Sequence, residues 1–393
     1  MVRTQVGIVG GGPAGLLLSH LLHLHGIESV VVEIRSRAYT EQRIRAGVLE
    51  HGTVDLLVDV GLGDRLKREG LVHEGIELRF EGRGHRIDLA ELTGGKTITV
   101  YGQQEVQKDL NTARGAAGGQ VLYEVADVRV EGVDSDAPVI RFRQGDEQVA
   151  LDCDLIAGCD GFHGICRPSV PATALTTYDR EYPFGWLGIL ARVSPASEEL
   201  IYSAHERGFA LLSMRSPELS RLYVQCEPDA QVDDWSDERV WEELHARLSG
   251  EGLVLEEGPV VEKVVTAMRS FVAEPLRHGR LFLAGDAAHI VPPAGAKGLN
   301  LAVADVRVLS EAVEAWYRGR TDLLDAYSQT CLRRVWRVQH FSWWMTSMLH
   351  RFAGDDPFER RLQLAQLAYV TSSRAAATTL AENYVGLAMG AAA

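Results

Sequence analysis

The apolar pattern at the start of the chain predicts its first three elements. Residues 4–9 form a short β-branched run typical of a buried strand. Leu16–His25 has the composition and length of a helix, and the following Gly26 is a residue that commonly ends one. Ser29–Val32 is again strand-like. A strand, a helix and a strand in this order predict a parallel sheet.

The hydrophobic pattern changes between about residues 178 and 275. One helical stretch lies near Trp235–Leu248, and turn signals separate strand-like runs at Phe184–Leu190, Gly208–Arg215, Leu222–Gln225 and Lys263–Val272. Leu281–Ala284 returns to a buried-strand pattern, and the chain is mostly helical from Gly298 onward. We therefore expect an α/β fold of mixed α+β character in three parts. These are residues 1–177, an inserted antiparallel sheet over residues 178–275, and residues 276–393, which complete the first part and add a helical C-terminal region.

Length, charge and cysteine content narrow the class of protein. A chain of 393 residues suits two or three associated domains. The net charge of −14 argues against a nucleic-acid partner, because phosphate binding favours a basic surface. No apolar run is long enough to span a bilayer and no signal-peptide pattern is present, so we expect no membrane partner. Five scattered cysteines without a C-x-x-C pair indicate a reducing cytoplasm, free thiols and no metal site.

A glycine-rich turn follows the first predicted strand. Gly10, Gly12 and Gly15 form a G-x-G-x-x-G pattern, which permits a tight turn, the approach of a pyrophosphate and close packing of helix on strand. Glu33 lies at the end of the second strand, where a carboxylate can accept hydrogen bonds from ribose hydroxyls. Glycine-rich turns without a ligand also occur. The position between a strand and a helix favours a dinucleotide, which the motif alone does not identify as FAD or NAD.

Two later strands end in turns that contain aspartate and glycine, and they identify the dinucleotide. Asp154–Gly161 ends in Asp160-Gly161, and Leu281–His289 contains Gly285-Asp286. In this order and at these separations the motifs resemble those of the flavoprotein monooxygenase family, whose members wrap FAD with them. The resemblance implies that Asp160 contacts FAD and that Asp286 binds its ribityl chain.

The loop Pro292–Asn300 is rich in Gly and Pro and leads into a predicted helix. A helix N-terminus at this point would place positive potential beside the flavin and favour its anionic reduced form. The same resemblance therefore implies cofactor contacts from Lys297, Gly298, Leu299 and Asn300.

A predicted hairpin collects polar side chains that suit a small anion. Ser213 and Arg215 are two apart and share one face of a strand, and Arg221 and Tyr223 do so on the next strand. Arg binds a carboxylate bidentately, which fixes its orientation as well as its charge. From the residues alone, a solvated polar face of an antiparallel sheet is an equal alternative.

Further segments resemble the flavoprotein aromatic hydroxylase family, and specifically its members that act on 4-hydroxybenzoate. The segments are Arg43–Glu50, Gly70–Gly75, Cys159–Gly164, Tyr182–Gly188, Phe341–Thr346 and Glu382–Leu387. The resemblance extends from about Thr4 to Leu387. It implies a Rossmann-like FAD-binding domain, an inserted antiparallel β-sheet substrate domain and a helical C-terminal region, typically in a homodimer.

The resemblance also assigns roles by position. The substrate carboxylate would be bound by Ser213, Arg215 and Tyr223. The substrate's 4-hydroxyl would be contacted by Tyr202 and oriented by the backbone carbonyl of Pro293, and its proton would pass through Tyr384 to His73 at the solvent end. The further FAD contacts would be Arg45, Gln103 and Arg221. The residues facing NAD(P)H would be Arg35, Tyr39, Arg43, His163, Arg167 and Arg269.

The implied reaction is the hydroxylation of 4-hydroxybenzoate to 3,4-dihydroxybenzoate with NAD(P)H and O2 through a flavin C4a-hydroperoxide. Removal of the 4-hydroxyl proton would enrich the neighbouring ring carbon, and such acid–base transfer contributes about 10²–10⁴-fold. The alternative substrates are 3-hydroxybenzoate and 3,4-dihydroxybenzoate. A plain NAD(P)-linked dehydrogenase or a ligand-binding regulator are the alternatives outside this class.

Two positions depart from the family pattern. Ile34 follows Glu33 where family members have an Arg that helps to hold the 2′-phosphate of NADPH, and Arg35 and Arg37 lie nearby. Because Ile cannot bind phosphate, we expect NADH to be accepted. Ala294 stands where we expect Thr beside the flavin, and this change would alter only the polarity of the pocket.

Overall fold

The computed structural model describes residues 2–42, 47–352, 354 and 356–387. Its helices are α1 (Pro13–Leu24), α2 (Arg37–Gln42), α3 (His51–Asp59), α4 (Gly63–Glu69), α5 (Leu89–Thr93), α6 (Gln103–Ala116), α7 (Asp237–Leu248), α8 (Gly298–Tyr317), α9 (Asp322–Leu349), α10 (Pro357–Ser372) and α11 (Arg374–Val385). Within these described ranges, the helices are all too short or too polar to pass through a bilayer.

The strands are β1 (Val2–Val9), β2 (Ser29–Val32), β3 (Val48–Leu49), β4 (Leu71–His73), β5 (Gly75–Phe80), β6 (Arg83–Asp88), β7 (Ile98–Val100), β8 (Gln120–Leu122), β9 (Ala126–Glu131), β10 (Val139–Gln144), β11 (Glu147–Gly158), β12 (Thr176–Ala191), β13 (Leu200–His205), β14 (Gly208–Ser216), β15 (Leu219–Cys226), β16 (Val260–Glu274), β17 (Arg277–His278), β18 (Leu281–Leu283) and β19 (His289–Ile290). The predicted α/β fold of mixed character is confirmed.

The first sheet has the strand order β17-β18-β11-β1-β2-β8, with β10 and β9 added beyond β11. Strand β1 is parallel to β2 and β11, and β11 is parallel to β18, so their carboxyl ends lie at one edge. The predicted helix begins at Pro13, three residues before the expected start, because proline is well tolerated in the first turn. The apolar residues of α1 and α8 cover this sheet and form its core with it.

The second sheet has the order β19-β16-β12-β15-β14-β13-β5-β6. Its predicted strands and its helix α7 are present, and all pairings are antiparallel except that of β13 with β5. Strands β5 and β6 come from residues 75–88, which the three-part division placed in the first part. The second sheet therefore includes strands that precede the proposed insertion, and the domain boundary between residues 177 and 178 stays an interpretation.

The two faces of the second sheet pack against different partners. Leu212, Leu222 and Val224 face α7 and form one apolar cluster with it. Their neighbours on the same strands, such as Leu211, belong to a second cluster with α9, α10 and α11. Because side chains alternate between faces along a strand, the polar residues predicted for the pocket lie on this second face. A small third sheet, β3-β7-β4, completes the described fold.

Candidate active site

The glycine-rich turn lies where β1 meets α1. Gly10 has φ of 104°, and a Cβ there would overlap the backbone carbonyl of Cys159. A Cβ on Gly15 would overlap the carbonyl of Gly10, so helix and turn approach as closely as the motif predicts. A Cβ on Gly12 would have no heavy atom within 4 Å. The amides at the N-terminus of α1 therefore face open space, the arrangement that binds a phosphate.

Glu33 lies directly beside this turn. Its buried carboxylate accepts hydrogen bonds from the backbone amides of Gly11 and Arg35, each at 2.7 Å. The side chain of Gln107, on α6, donates to the carbonyl of Gly11 at 2.7 Å and supports the turn from the other side. Sequence reasoning missed Gln107, because 96 residues separate it from the turn and no local motif marks it.

The Asp160 and Asp286 turns lie at the same edge of the first sheet as the glycine-rich turn. Val9 pairs with Gly158, and Gly158 pairs with Leu283, so the three strand ends are adjacent. Asp160 accepts a hydrogen bond from the amide of Cys166 at 2.9 Å, and burial raises the pKa of the Asp160 carboxyl. The structure thus brings the three sequence motifs into one crevice at the carboxyl ends of parallel strands, the usual place for a dinucleotide.

A buried pair supports the Asp286 turn. The carboxylate of Asp305 accepts hydrogen bonds from the amide of Gly285 at 2.9 Å and from the ring of His289 at 2.6 Å. Burial alone would lower the pKa of His289, but the Asp305 carboxylate outweighs this effect and raises it. Sequence reasoning missed this pair as well.

The helix predicted to follow the Gly- and Pro-rich loop is α8, which begins at Gly298, before the end of the predicted loop at Asn300. Leu299 is half-buried, and Asn300 is buried with its amide group bonded to the carbonyls of Val48 and Ala296 at 3.0 and 2.9 Å. The side chain of Asn300 therefore holds the loop in shape. The backbone amides in the first turn of α8 remain suited to a cofactor, whereas the side-chain amide of Asn300 already donates within the protein.

Lys297 has a different environment from the one predicted. Its buried ammonium donates to Glu50 Oε1 and to the backbone carbonyl of Tyr384, both at 2.8 Å. Arg334 donates to the other oxygen of Glu50 at 2.7 Å. Burial lowers the pKa of Lys297, and the Glu50 carboxylate partly offsets this effect. The side chain thus joins the start of α8 to Glu50 and to the last helix, and a direct cofactor contact by Lys297 stays a prediction.

The second face of the substrate sheet carries the predicted pocket. In the register of β13, β14 and β15, Tyr202 is opposite Leu211, Leu211 is opposite Tyr223, and Ser213 is opposite Arg221. Residues opposite one another in an antiparallel pair point to the same face. The structure therefore brings Tyr202, Ser213, Arg221 and Tyr223 onto one surface.

Arg215 lies two residues beyond Ser213, at a register irregularity between Met214 and Ser216, and a hydrogen bond with Tyr223 places it at the same surface. The side chain is half-buried as a whole, while its Nε atom is fully buried. Burial lowers the pKa of Arg215, the interaction with Tyr223 raises it, and the charge of Arg221 lowers it further. Arg221 is itself buried, with Glu262 at 3.6 Å. Two neighbouring cations in a poorly solvated place make a site that suits a carboxylate.

Two tyrosine hydroxyls meet at the other end of this face. Tyr202 and Tyr384 are buried, and their hydroxyl oxygens are 2.5 Å apart. Burial raises the pKa of both phenols. The carbonyl of Pro293 accepts from the amide of Ala296 at 2.8 Å and keeps a second lone pair. Ala294 is buried in the apolar cluster that contains both tyrosines.

His73 ends β4 in the small third sheet and is 1% exposed. Among the described residues, neither of its ring nitrogens has a hydrogen-bond partner. Burial lowers the pKa of His73 to about 4, although Glu199 acts in the opposite direction. The ring of His73 is covered in the structure, and its place at the solvent end of a proton relay stays a prediction.

The residues predicted for NAD(P)H form two groups in the structure. Arg167 and Arg269 both lie over the ring of Phe162, at 4.6 and 4.9 Å, and the ring of His163 is 5.0 Å from it. Arg269 is paired with Asp179 at 2.7 Å. In the second group, the guanidinium of Arg35 lies 5.1 Å from the ring of Tyr39. Two predicted residues, Arg43 and Arg45, lie outside the described residues, and Gln103 begins α6.

Comparisons with known proteins agree with this geometry. A family model described as FAD binding domain matches residues 3–342. The p-hydroxybenzoate hydroxylase of Acinetobacter baylyi is 52% identical over 388 residues, which cover 98% of this chain and 96% of the relative. In fold, p-nitrophenol 4-monooxygenase from Pseudomonas putida aligns with a TM-score of 0.84 at 20% identity, over 98% of this chain and 99% of that one. Aklavinone-11 hydroxylase, solved with FAD and aklavinone, aligns with a TM-score of 0.74 at 22% identity, over 89% and 70% of the two chains. The chain therefore belongs to the FAD binding domain family, in the branch that contains p-hydroxybenzoate hydroxylase.

Proposed function

We propose that the chain is an FAD-dependent monooxygenase that converts 4-hydroxybenzoate to 3,4-dihydroxybenzoate with NAD(P)H and O2. The observation that carries the proposal is the distribution of polar groups on one face of the substrate sheet. Arg215 and Tyr223 lie at one end, where a carboxylate can bind, and the paired hydroxyls of Tyr202 and Tyr384 lie at the other. A benzoate with a para-hydroxyl has these two groups at opposite ends of its ring.

The residues at the edge of the first sheet fit FAD. Gly12 leaves open space at the N-terminus of α1, and Glu33 lies beside it with two oxygens able to accept further hydrogen bonds. In the described part of the chain, the buried Oδ1 of Asp160 has no hydrogen-bond partner, as expected of an acceptor that awaits a ligand. When bound and reduced by NAD(P)H, FAD supplies the activation of O2 for transfer to the aromatic ring.

The side chains of the pocket position the substrate and move one proton. Ser213, Arg215 and Tyr223 hold the carboxylate, so the 4-hydroxyl points to Tyr202. Because burial raises the pKa of both tyrosines, neither becomes a stable phenolate. Each passes the proton on by donating one as it accepts another, and the substrate becomes the phenolate. His73, whose pKa burial lowers to about 4, is neutral at physiological pH, so in the proposed relay it passes the proton on to solvent and does not store it.

The test is the amount of 3,4-dihydroxybenzoate formed per NADH or NADPH consumed, in air, with 4-hydroxybenzoate. We expect a ratio near one. Fast nucleotide oxidation that yields H2O2 and little product would contradict the substrate while leaving the flavoprotein class intact. In that case 3-hydroxybenzoate and 3,4-dihydroxybenzoate are the next substrates to measure.

We also propose that NADH is used efficiently. Ile34 is 59% exposed and offers no group for a phosphate, and the charge of Arg37 is paired with Glu41 at 2.7 Å. Steady-state kinetics with both nucleotides measure this preference, and a kcat/KM at least about tenfold higher with NADPH would refute it. The variant Ile34→Arg should move the preference toward NADPH, since it restores a cation at this position.

A homodimer and a cytoplasmic location are further parts of the proposal. The homodimer is supported by large apolar side chains exposed on α9 and α10, among them Trp343, Phe358 and Tyr369. Sedimentation velocity should give a mass twice that of one chain. A mass equal to one chain at micromolar concentration would contradict the dimer.

A further inference from the structure

A buried histidine lies at the end of α9, against the substrate sheet. His350 is 1% exposed and follows directly after the last residue of the helix. Its ring stacks on Phe209 at 4.3 Å, on Phe184 at 4.8 Å and, nearly parallel, on Trp186 at 5.7 Å. No motif in the sequence marks this residue.

The hydrogen bonds of His350 fix its protonation. Nδ1 is 3.0 Å from the carbonyl of Thr346, which can only accept, so Nδ1 carries the hydrogen. The indole nitrogen of Trp186 can only donate, and it is 2.7 Å from Nε2, so Nε2 is the acceptor. Burial lowers the pKa of His350 to about 3, which agrees with a neutral ring. The histidine therefore serves as a permanent acceptor for one indole N–H.

Trp186 in turn contacts the substrate face. Its ring is 5.0 Å from that of Tyr223 and 4.9 Å from that of Phe209, and Phe209 is 6.2 Å from Tyr202. Gly188 is the residue opposite Tyr223 on β12, and a Cβ there would lie 3.2 Å from the Tyr223 ring, so this ring packs directly on the backbone of β12 beside Trp186. The aromatic stack thus connects His350 to residues at both ends of the proposed pocket.

We propose that His350 is a positioning residue for the substrate pocket: by accepting the Trp186 N–H it fixes the indole against which Tyr223 and Phe209 pack. This inference rests on the proposed function. His350 itself does not act on the substrate. Without the acceptor, the indole would rotate or carry a buried N–H without a partner, and the carboxylate-binding tyrosine would lose its lateral support.

The test compares two substitutions of His350 with a control at the same end of the helix. His350→Gln keeps an acceptor and a donor, whereas His350→Leu removes both. The control is Gln363→Leu, because Gln363 donates to the backbone carbonyls of Ser347 and His350 at 2.8 Å, and these bonds do not involve the His350 ring. The dissociation constant of 4-hydroxybenzoate, from flavin fluorescence of the FAD-loaded enzyme, and the kcat and KM of each variant are measured below its melting temperature.

We expect His350→Leu to raise the dissociation constant about tenfold, equivalent to about 1.4 kcal/mol. We expect His350→Gln and Gln363→Leu to stay within about twofold of wild type, even if both melt earlier. An equal dissociation constant in all folded variants, with only the melting temperature lowered, would reduce His350 to a structural role and overturn the proposal.

Trp186→Phe provides a second route if His350→Leu does not fold. Trp186→Phe removes the donor and keeps an aromatic ring, so it should weaken 4-hydroxybenzoate binding to a similar extent. The double variant Trp186→Phe/His350→Leu should lose less binding free energy than the sum of the two single losses. Strictly additive effects would contradict the coupling. A wild-type enzyme that is loaded with FAD but does not bind 4-hydroxybenzoate would instead contradict the proposed substrate, and the comparison is then made with the hydroxybenzoate that it does bind.

Discussion

Replacing Arg215 by Ala is the most direct perturbation of the proposed carboxylate site. Burial lowers the pKa of Arg215, and Arg221 adds a second positive charge, so the protein holds this cation at a cost that a bound carboxylate would offset. Breaking a buried ion pair by removing one partner costs about 3–5 kcal/mol. At about 1.4 kcal/mol per factor of ten, this weakens 4-hydroxybenzoate binding by about 100- to 4,000-fold.

The thermal stability of the substrate-free protein should not fall with substrate affinity when Arg215 is replaced. Since the cost of burying the cation disappears with the side chain, Arg215→Met should unfold at a temperature equal to or above that of wild type when no substrate is present. Added 4-hydroxybenzoate stabilises wild type by mass action, and this shift should be absent in the variant. Arg215→Lys keeps the charge without the planar fork and should fall between the two.

Flavin-fluorescence titration gives the dissociation constant, and a thermal melt with and without substrate gives the stability. The matched control is Arg141→Ala, which removes an exposed arginine of β10 that is paired with Glu131 of β9, remote in sequence from the pocket. An unchanged dissociation constant in Arg215→Ala would refute the carboxylate site. A large loss in Arg141→Ala as well would show that net charge, and not the site, controls binding.

Three further predictions follow from the described contacts. Tyr202→Phe removes one hydroxyl of the pair with Tyr384, so we expect flavin reduction with most NADH diverted to H2O2, and full product yield per NADH would remove Tyr202 from the relay. Gly12→Val places a side chain in open space, so the protein should fold but lose FAD affinity by at least about tenfold, as measured by retained flavin absorbance after gel filtration. The raised pKa of His289 means that its pairing with Asp305 stabilises the fold fully below about pH 6.5 and is lost as the pH rises through the higher folded-state value. Urea unfolding between pH 6 and 9 should therefore depend less on pH in His289→Asn than in wild type, and equal slopes would contradict the pairing.

The local elements of this fold were predictable because their signals are local. The β1–turn–α1–β2 unit follows from three glycines and the apolar residues around them, and β14 and β15 follow from alternation with a turn between them. The parallel pairing of β13 with β5 was missed, because the pairing of Tyr202 with Leu78 joins residues far apart in sequence. Periodicity predicts that a strand exists, but it does not predict which strand it pairs with.

The candidate site shows the same limit. Ser213, Arg221 and Tyr223 were predicted to gather on one surface, because alternation along a hairpin determines that geometry, whereas the register irregularity at Arg215 has no signal in the spacing. The pairing of Tyr202 with Tyr384 spans 182 residues and came only from the family resemblance. The partners of Lys297 and the burial of His73 depend on how helices and sheets pack together, and no spacing in the sequence encodes that packing.

The carboxylate of Glu50 has a consequence for how this enzyme can change during evolution. It binds Lys297 and Arg334, which are 247 and 284 residues away in sequence, and Lys297 also holds the carbonyl of the relay residue Tyr384. Losing Glu50 alone leaves the buried ammonium of Lys297 uncompensated, at about 3–5 kcal/mol. Losing Lys297 alone leaves Glu50 paired with Arg334, so a neutral residue should appear at position 297 before one appears at position 50. Libraries that change Glu50 first will find this part of the enzyme intolerant, and libraries that change Lys297 first will not.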